Sequence, residues 1–418
     1  MSGALATAAG GLLARYDRLR SVLPGDAEAR SRAAATIRRR GLPSPRDEAW
    51  RYTNLKALAE IGGPRRATSA DVAELLQGLP VLDAAATVVM VDGRLRRDLS
   101  RVPDTLAVAS FAEHPLTAEG LRPERETLVA ANEMLAEDGA LIDVSAGRDA
   151  GLVLLASIGT GAEDSFHPRH SVRLAEGAKL TLFELSIGSG RYLHNPVFSV
   201  ELAKDAVLTH VRLQDEPSTA VYLSTTYVAV DAAATYDSFT LNLGARLGRT
   251  EVHATLRGER AVTHLNAAQL LSGTQHGDVT TVVSHIAPSC ASRQTVKNVL
   301  SAHARAVFQG KIEVARGAQK TDGYQMNQTL LLSPDAEVDS KPQLEIYADD
   351  VKCSHGVTIG ALDADQMFYL RSRGIGADEA RSILVRAFLA AALDAVGDEQ
   401  VRGVLEAAIE GWWARQPA

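Results

Sequence analysis

The sequence predicts a mainly β chain, with a β-solenoid core flanked by a helical region at each end. Three observations carry that prediction. From about residue 150 the chain is dominated by short strands of alternating apolar and polar residues, separated by Gly, Ala and Asp turns. Within that stretch "VRLAEGAKLTLFELS", "VELAKDAVLTHVRLQ" and "VAVDAAATYDSFTLN" align, their first valines at 172, 200 and 228 lying 28 residues apart each time, with "LRGERAVTHLN" at 256–266 as a looser fourth copy. A fixed period of this size marks a solenoid: one unit cannot bury its apolar face alone, whereas stacked units make a continuous core. Finally, Ala- and Arg-rich or almost wholly apolar runs at the two ends read as helices.

Taken in order, residues 1–78 form the predicted N-terminal helical region. "AEARSRAAATIRRRG" ends at Gly41 and Pro43, which stop a helix. Trp50 and Tyr52 in "PRDEAWRYTNLKAL" are candidate packing anchors, and Arg38–Arg40 reads as a solvated helix end rather than an anion site. Residues 79–150 are a mixed α/β connecting region: "ATVVMVDGRL" is a strand running into a turn at Asp92-Gly93, and "ERETLVAANEMLAEDGALIDV" is a helix followed by a strand. Residues 151–360 are the predicted solenoid core. In the C-terminal helical region, 361–418, Asp363 and Gln366 make a capping box and Gly374 ends the helix. The next run, "DEARSILVRAFLAAALDAV", is apolar over most of its circumference, so it must be buried against its own domain or against a partner.

Composition excludes several functions. The chain has 418 residues, 46% hydrophobic and 23% charged, with a net charge of −7. That balance is poorly suited to nucleic acid, which needs a basic field to displace counterions. No apolar run approaches the roughly 18 residues of a membrane span. The first 20 residues place no basic residue ahead of their apolar run, the reverse of a secretory signal. Two cysteines, Cys290 and Cys353, are no disulfide framework, so the chain reads as cytoplasmic with both thiols free. It carries no phosphate loop, dinucleotide fingerprint, Gly-x-Ser-x-Gly elbow, Cys-x-x-Cys or His-Glu-x-x-His. Eleven histidines are scattered; each alone reads as hydrogen-bonded or superficial, although a solenoid stacks equivalent positions in columns.

The stretch "DDVKCSHGVTIG", 349–360, carries the most chemistry. On a strand, Cys353 and His355 share a face and offer thiolate and imidazole to a soft metal such as iron or copper. Val351, Val357 and Ile359 have the same parity, so an interior ladder is the competing reading, with Cys353 as a small buried hydrophobe. An iron–sulfur cluster usually takes four thiolates. Cys290 fits no motif and reads as structural. A cluster role thus needs donors from another chain, or non-thiol ligands and a transient cluster.

"DGYQMNQTLLLSPDAEVDSKPQLEIYADDVKCSHGVTIG" followed by "DQMFYLRSRGI" resembles the C-terminal signature of the SufB/SufD family of iron–sulfur cluster assembly proteins. "KCSHG", "KPQLEIYADDV" and the N-terminal "PRDEAWRYTNL" are more similar to its SufD branch. The resemblance spans nearly the whole chain and is most specific over 320–376. It implies a right-handed parallel β-helix between helical ends, acting as a non-catalytic scaffold. It also implies pairing with a SufB-like subunit through the β-helix, and docking of a SufC-like ABC-type ATPase through the C-terminal helices, with Phe368, Ile383, Leu384 and Phe388 as docking residues. His355 and Cys353 would serve a transient cluster at the subunit interface, with nothing stably bound by the chain alone. A homodimer in isolation and a reduced flavin in the complex are further family properties; no residue pattern here marks a flavin site. Two other readings are a SufB-like primary scaffold, weakened by the two-cysteine count, and a β-helix polysaccharide lyase or hydrolase, weakened by the helical ends.

Overall fold

The computed structural model describes residues 3–61, 69–116 and 126–415; residues 62–68 of the expected N-terminal helical region lie outside the described residues. That region supplies α1 (Gly3–Leu19), α2 (Ala27–Arg40) and α3 (Ser69–Gln77). Asp26 starts α2 by accepting the Glu28 N–H, and Gly41, at φ 70°, ends it. The Arg38–Arg40 run is exposed at that end, with Arg38 3.3 Å from Asp17. Trp50 is half-buried beneath Arg249, whose guanidinium lies 4.1 Å from the ring centroid.

The strand Ala86–Val91 turns through Asp92 (φ 46°) and Gly93 (φ 78°) into Arg94–Leu95. α4 (Thr127–Leu135) precedes the strand Ala140–Val144. Both longer strands already belong to the solenoid: Ala86–Val91 pairs in parallel with Asp149–Gly159, and Ala140–Val144 with Arg169–Leu174. Stacking of parallel sheets thus begins inside the 79–150 connecting region.

Among the described residues the strands form one ten-stranded and one eleven-stranded sheet. From Val207–Asp215 onward successive strands alternate between the sheets, and each pairs in parallel with a strand one coil earlier, whereas the short strands Arg94–Leu95 and Ala107–Ser110 pair antiparallel. The repeat valines fall into one column, Val172 beside Val200 beside Val228. The small-residue turns have a physical reason. One residue per coil takes the left-handed conformation: Gly147, Gly177, Asp205, Ala233, Arg260, Ser289 and Lys320, with φ between 55° and 66°. Each donates its N–H to a carbonyl of the next coil, from Gly147 to Glu176 (2.8 Å) through to Lys320 to Asp350 (2.6 Å). The corner is therefore a hydrogen-bonded stack rather than a series of independent loops.

Parallel sheets need both faces covered. Between the sheets, Val172, Val200, Leu208, Val228, Val252 and Leu256 are among the residues filling an apolar lumen. Outside, α1, α2 and α4 cover the eleven-stranded sheet through Leu12, Ile37 and Leu128 against Leu193, Leu223 and Leu247. α6 (Ala377–Leu393) and α7 (Glu399–Ala414) cover the ten-stranded sheet through Val385, Leu389, Leu405 and Trp412. α5 (Ala364–Ser372) stays exposed, capped by Asp363, which accepts the Gln366 N–H. α6 lays its buried face on the chain's own sheet.

One end is left open. Glu337–Ile346 and Val351–Gly360 are the terminal strands of their sheets on the same side, and neither has a buried residue.

Candidate functional site

The residues of this open coil explain its geometry. Inner and outer side chains alternate along each strand, so in Val351–Gly360 the odd-numbered residues face the lumen. Cys353 stands beside Gly323, and His355 beside Gln325. Gly323 leaves room for sulfur: a Cβ there would come within 3.4 Å of Cys353 Sγ. Cys353 packs with Ile312, Val314, Leu344 and Val351 and is half-buried. Burial pushes its thiol pKa up, as does the charge of Asp322, against the Gly323 N–H. Left alone it is a thiol at neutral pH; only a metal or a new charge would draw out the thiolate.

His355 is exposed on the same inward parity and has no hydrogen-bond or ion-pair partner among the described residues. The face continues the interior ladder, and at the last coil that interior opens to solvent. Cys290, by contrast, is buried and donates to the Gly258 carbonyl at 3.2 Å, a structural thiol.

Around the mouth runs a rim of uncovered apolar side chains: Ile346, Tyr347, Val357 and Ile359, with Phe368 and Tyr369 on α5. Phe368 is 74% exposed. Ile383 and Leu384 are half-buried on α6. Phe388, also half-buried on α6, has its ring 4.6 Å from Lys297 Nζ, its carbonyl accepts from the same ammonium, and it packs on the chain's own sheet.

Inside the solenoid is a polar interior that sequence reasoning missed. Glu184, His210 and Arg212 are fully buried. His210 Nε2 lies 3.3 Å from Glu184 Oε2, and Arg212 Nη2 donates to His210 Nδ1 at 3.0 Å. Since Nδ1 accepts, the imidazole is neutral with its proton on Nε2, donating to Glu184. Burial alone would raise the Glu184 carboxyl, but His210 and Arg212 hold it at about 2. Burial lowers His210 to about 4. Beside this network runs a column of polar residues, Ser157, Ser186, Gln214, Asn242, Gln269, Asn298 and Thr329, one per coil. The coil period was the available signal: placing the sequence in register brings these residues into one line.

A large cleft lies elsewhere. It encloses about 540 Å³ between the N-terminal segment and the eleven-stranded sheet, lined by Arg40, Trp50, Arg249, Glu251 and Lys341 among others. Its charges are largely matched internally, Arg249 with Glu251 and Asp278, and Lys341 with Glu48. This is the seat of the N-terminal segment, whereas the mouth holds donors without partners.

Residues 157–388, which include the whole open coil, match the family described as SUF system FeS cluster assembly, SufBD core domain. The chain belongs to the SufBD family. It is 34% identical over 376 residues to the iron–sulfur cluster assembly protein SufD of Escherichia coli K12, covering 87% of this chain and 88% of that protein. An iron–sulfur cluster assembly SufBD family protein of Synechocystis is 30% identical over 390 residues, covering 87% and 86%. Protein ABCI7, chloroplastic, of Arabidopsis thaliana is 35% identical over 240 residues, covering 56% of this chain and 50% of that protein. Half-buried Cys353 and exposed His355 both lie within the matched core.

Proposed function

We propose that this chain is a non-catalytic, SufD-like scaffold subunit of a cytoplasmic SUF assembly complex. It pairs with a SufB-like subunit through the open end of the solenoid, and His355 and Cys353 help hold or steer a nascent iron–sulfur cluster there. The observation that carries this reading is the terminal coil, whose strands have free edges and whose lumen-facing thiol and imidazole open outward. A free edge accepts a further strand by main-chain hydrogen bonding, and an uncovered apolar rim favours a protein partner. Two donors cannot hold a cluster, and among the described residues no three His, Cys, Asp or Glu side chains gather as a metal-binding group. The remaining ligands would come from the partner.

A SufC-like ATPase would dock on the C-terminal helices, with exposed Phe368 on α5 as the anchor and half-buried Ile383 and Leu384 beside it. ATP hydrolysis would belong to that partner. Cytoplasmic placement is supported by two unpaired cysteines; in addition, among the described residues no helix is long and apolar enough to cross a membrane.

The test is co-expression of the tagged chain with SufB-like and SufC-like proteins of the same organism, followed by anaerobic iron and sulfide analysis. A stable three-component complex whose cluster content falls in His355→Ala is expected. A complex with unchanged content returns Cys353 and His355 to a packing role; no complex at all removes the assembly reading.

A further inference from the structure

The column that ends at His355 contains His210, Ser238, Leu265, Gln294 and Gln325, one residue per coil. Gln294 accepts from Thr281 Oγ1 at 2.5 Å, and its own Nε2 is unpaired. Gln325, directly beneath His355, is fully buried, and neither its Nε2 nor its Oε1 has a partner. Buried amides are almost always paired, so this one asks for an explanation.

Its surroundings narrow where a partner on the side of the mouth comes from. On the opposite wall stands Gly310, where a Cβ would lie 2.9 Å from Gln325 Nε2; only glycine leaves the carboxamide its room. One coil further along that wall is Pro342, which has no N–H to offer. The hydroxyl of Ser340 accepts from Asn327 at 3.0 Å. Within the lumen the next residue in line is His355, one strand spacing of about 4.8 Å away, itself without a partner. An unpaired donor–acceptor group and an unpaired imidazole therefore occupy adjacent rungs of one column, at the mouth of the solenoid.

We infer that Gln325 is a positioning residue for His355: its carboxamide oxygen accepts the proton of one ring nitrogen and leaves the other nitrogen presented, unprotonated, toward the mouth. A neutral imidazole with one nitrogen held by an acceptor is the form that binds a metal, and the holding bond sets its orientation and basicity. The inference rests on the reading of the mouth as a cluster-handling site. It adds that the coil beneath prepares the ligand, and that the buried amide is kept at a cost in stability.

Three variants test it: Gln325→Leu, Gln325→Glu and His355→Ala. Each is compared with wild type for iron and sulfide in the anaerobic three-component complex and for thermal midpoint as the chain alone. The ¹⁵N shifts of selectively labelled histidine supply the tautomer. Gln325→Leu is expected to lower cluster retention on the order of 10-fold, the usual scale for losing a group that orients a metal ligand. Its thermal midpoint should be unchanged or higher, because a buried amide whose Nε2 has no partner is removed. Gln325→Glu, which keeps the acceptor, should retain most of the cluster. The His355 signal should pass from one tautomer to a mixture in Gln325→Leu alone. Wild-type cluster content in Gln325→Leu, or losses that only follow a lowered midpoint, would overturn the inference. Unchanged content in His355→Ala would remove the shared-site reading instead, while the tautomer still decides whether Gln325 holds His355.

Discussion

Burial and charge act on single residues here in two opposite ways. At the mouth, His355 is exposed and makes no contact that the fold needs, so His355→Ala should alter stability by no more than about 0.5 kcal/mol while lowering cluster content. In the interior the balance is reversed. Arg212 is buried with Glu184 and His210, and removing one member strands the others without a counter-charge. Arg212→Met should cost about 3–5 kcal/mol in denaturant unfolding; a change below about 1 kcal/mol would mean that the network is not closed as described. The buried imidazoles also set an acid limit. Burial lowers His170, His210 and His285 to about 4 and His167 to about 3. In the unfolded chain they titrate near 6.5. Their contribution is therefore full above about pH 6.5 and is lost as pH falls toward 4, because only the unfolded state takes up protons in that window. Glu184 and Glu251, each held at about 2, add a loss only below about pH 4.5. The thermal midpoint should thus fall steeply between pH 6.5 and 4; a flat profile there would contradict neutral buried histidines.

Among elements, the corner turn and the C-terminal helices give the clearest expectations. Ala233 occupies the left-handed corner position that Gly147 and Gly177 fill without strain. Ala233→Gly should stabilise the fold by about 0.5–1 kcal/mol, read as a higher denaturation midpoint. α7 acts oppositely: Trp412 is 2% exposed against the ten-stranded sheet, and Trp412→Ala should cost about 3–5 kcal/mol. Deleting 377–418 would uncover that sheet and confuse folding with docking. Phe368→Asp on exposed α5 is the cleaner probe; it should weaken ATPase binding without moving the melting temperature. Much of this level was legible in the sequence. The 28-residue spacing placed Val172, Val200 and Val228 in one column, Gly41 ended α2, and Asp363 capped α5. The packing of Phe388 on the chain's own sheet was not, because an apolar helix does not declare which of its faces meets its own sheet. Nor were Glu184 and Gln325, since a polar residue at an inward position looks the same as one facing water until the register of neighbouring coils is known.

The whole molecule is a stack closed along its length and open at one end. N-terminal helices cover one sheet and C-terminal helices the other, while the early coils are sealed by the connecting region. Among the described residues, Glu337–Ile346 and Val351–Gly360 end without a neighbouring strand on that side. The donors that the sequence singled out lie on the second of these strands, so partner pairing and cargo handling would share one surface. Hydrogen exchange tests that claim most directly, comparing the chain alone with its complex with the SufB-like subunit. The account expects amides of 337–346 and 351–360 to exchange quickly in the free chain and to become protected in the complex, with inner coils unchanged. Protection confined to the helical faces, with the terminal strands still exchanging freely, would contradict it.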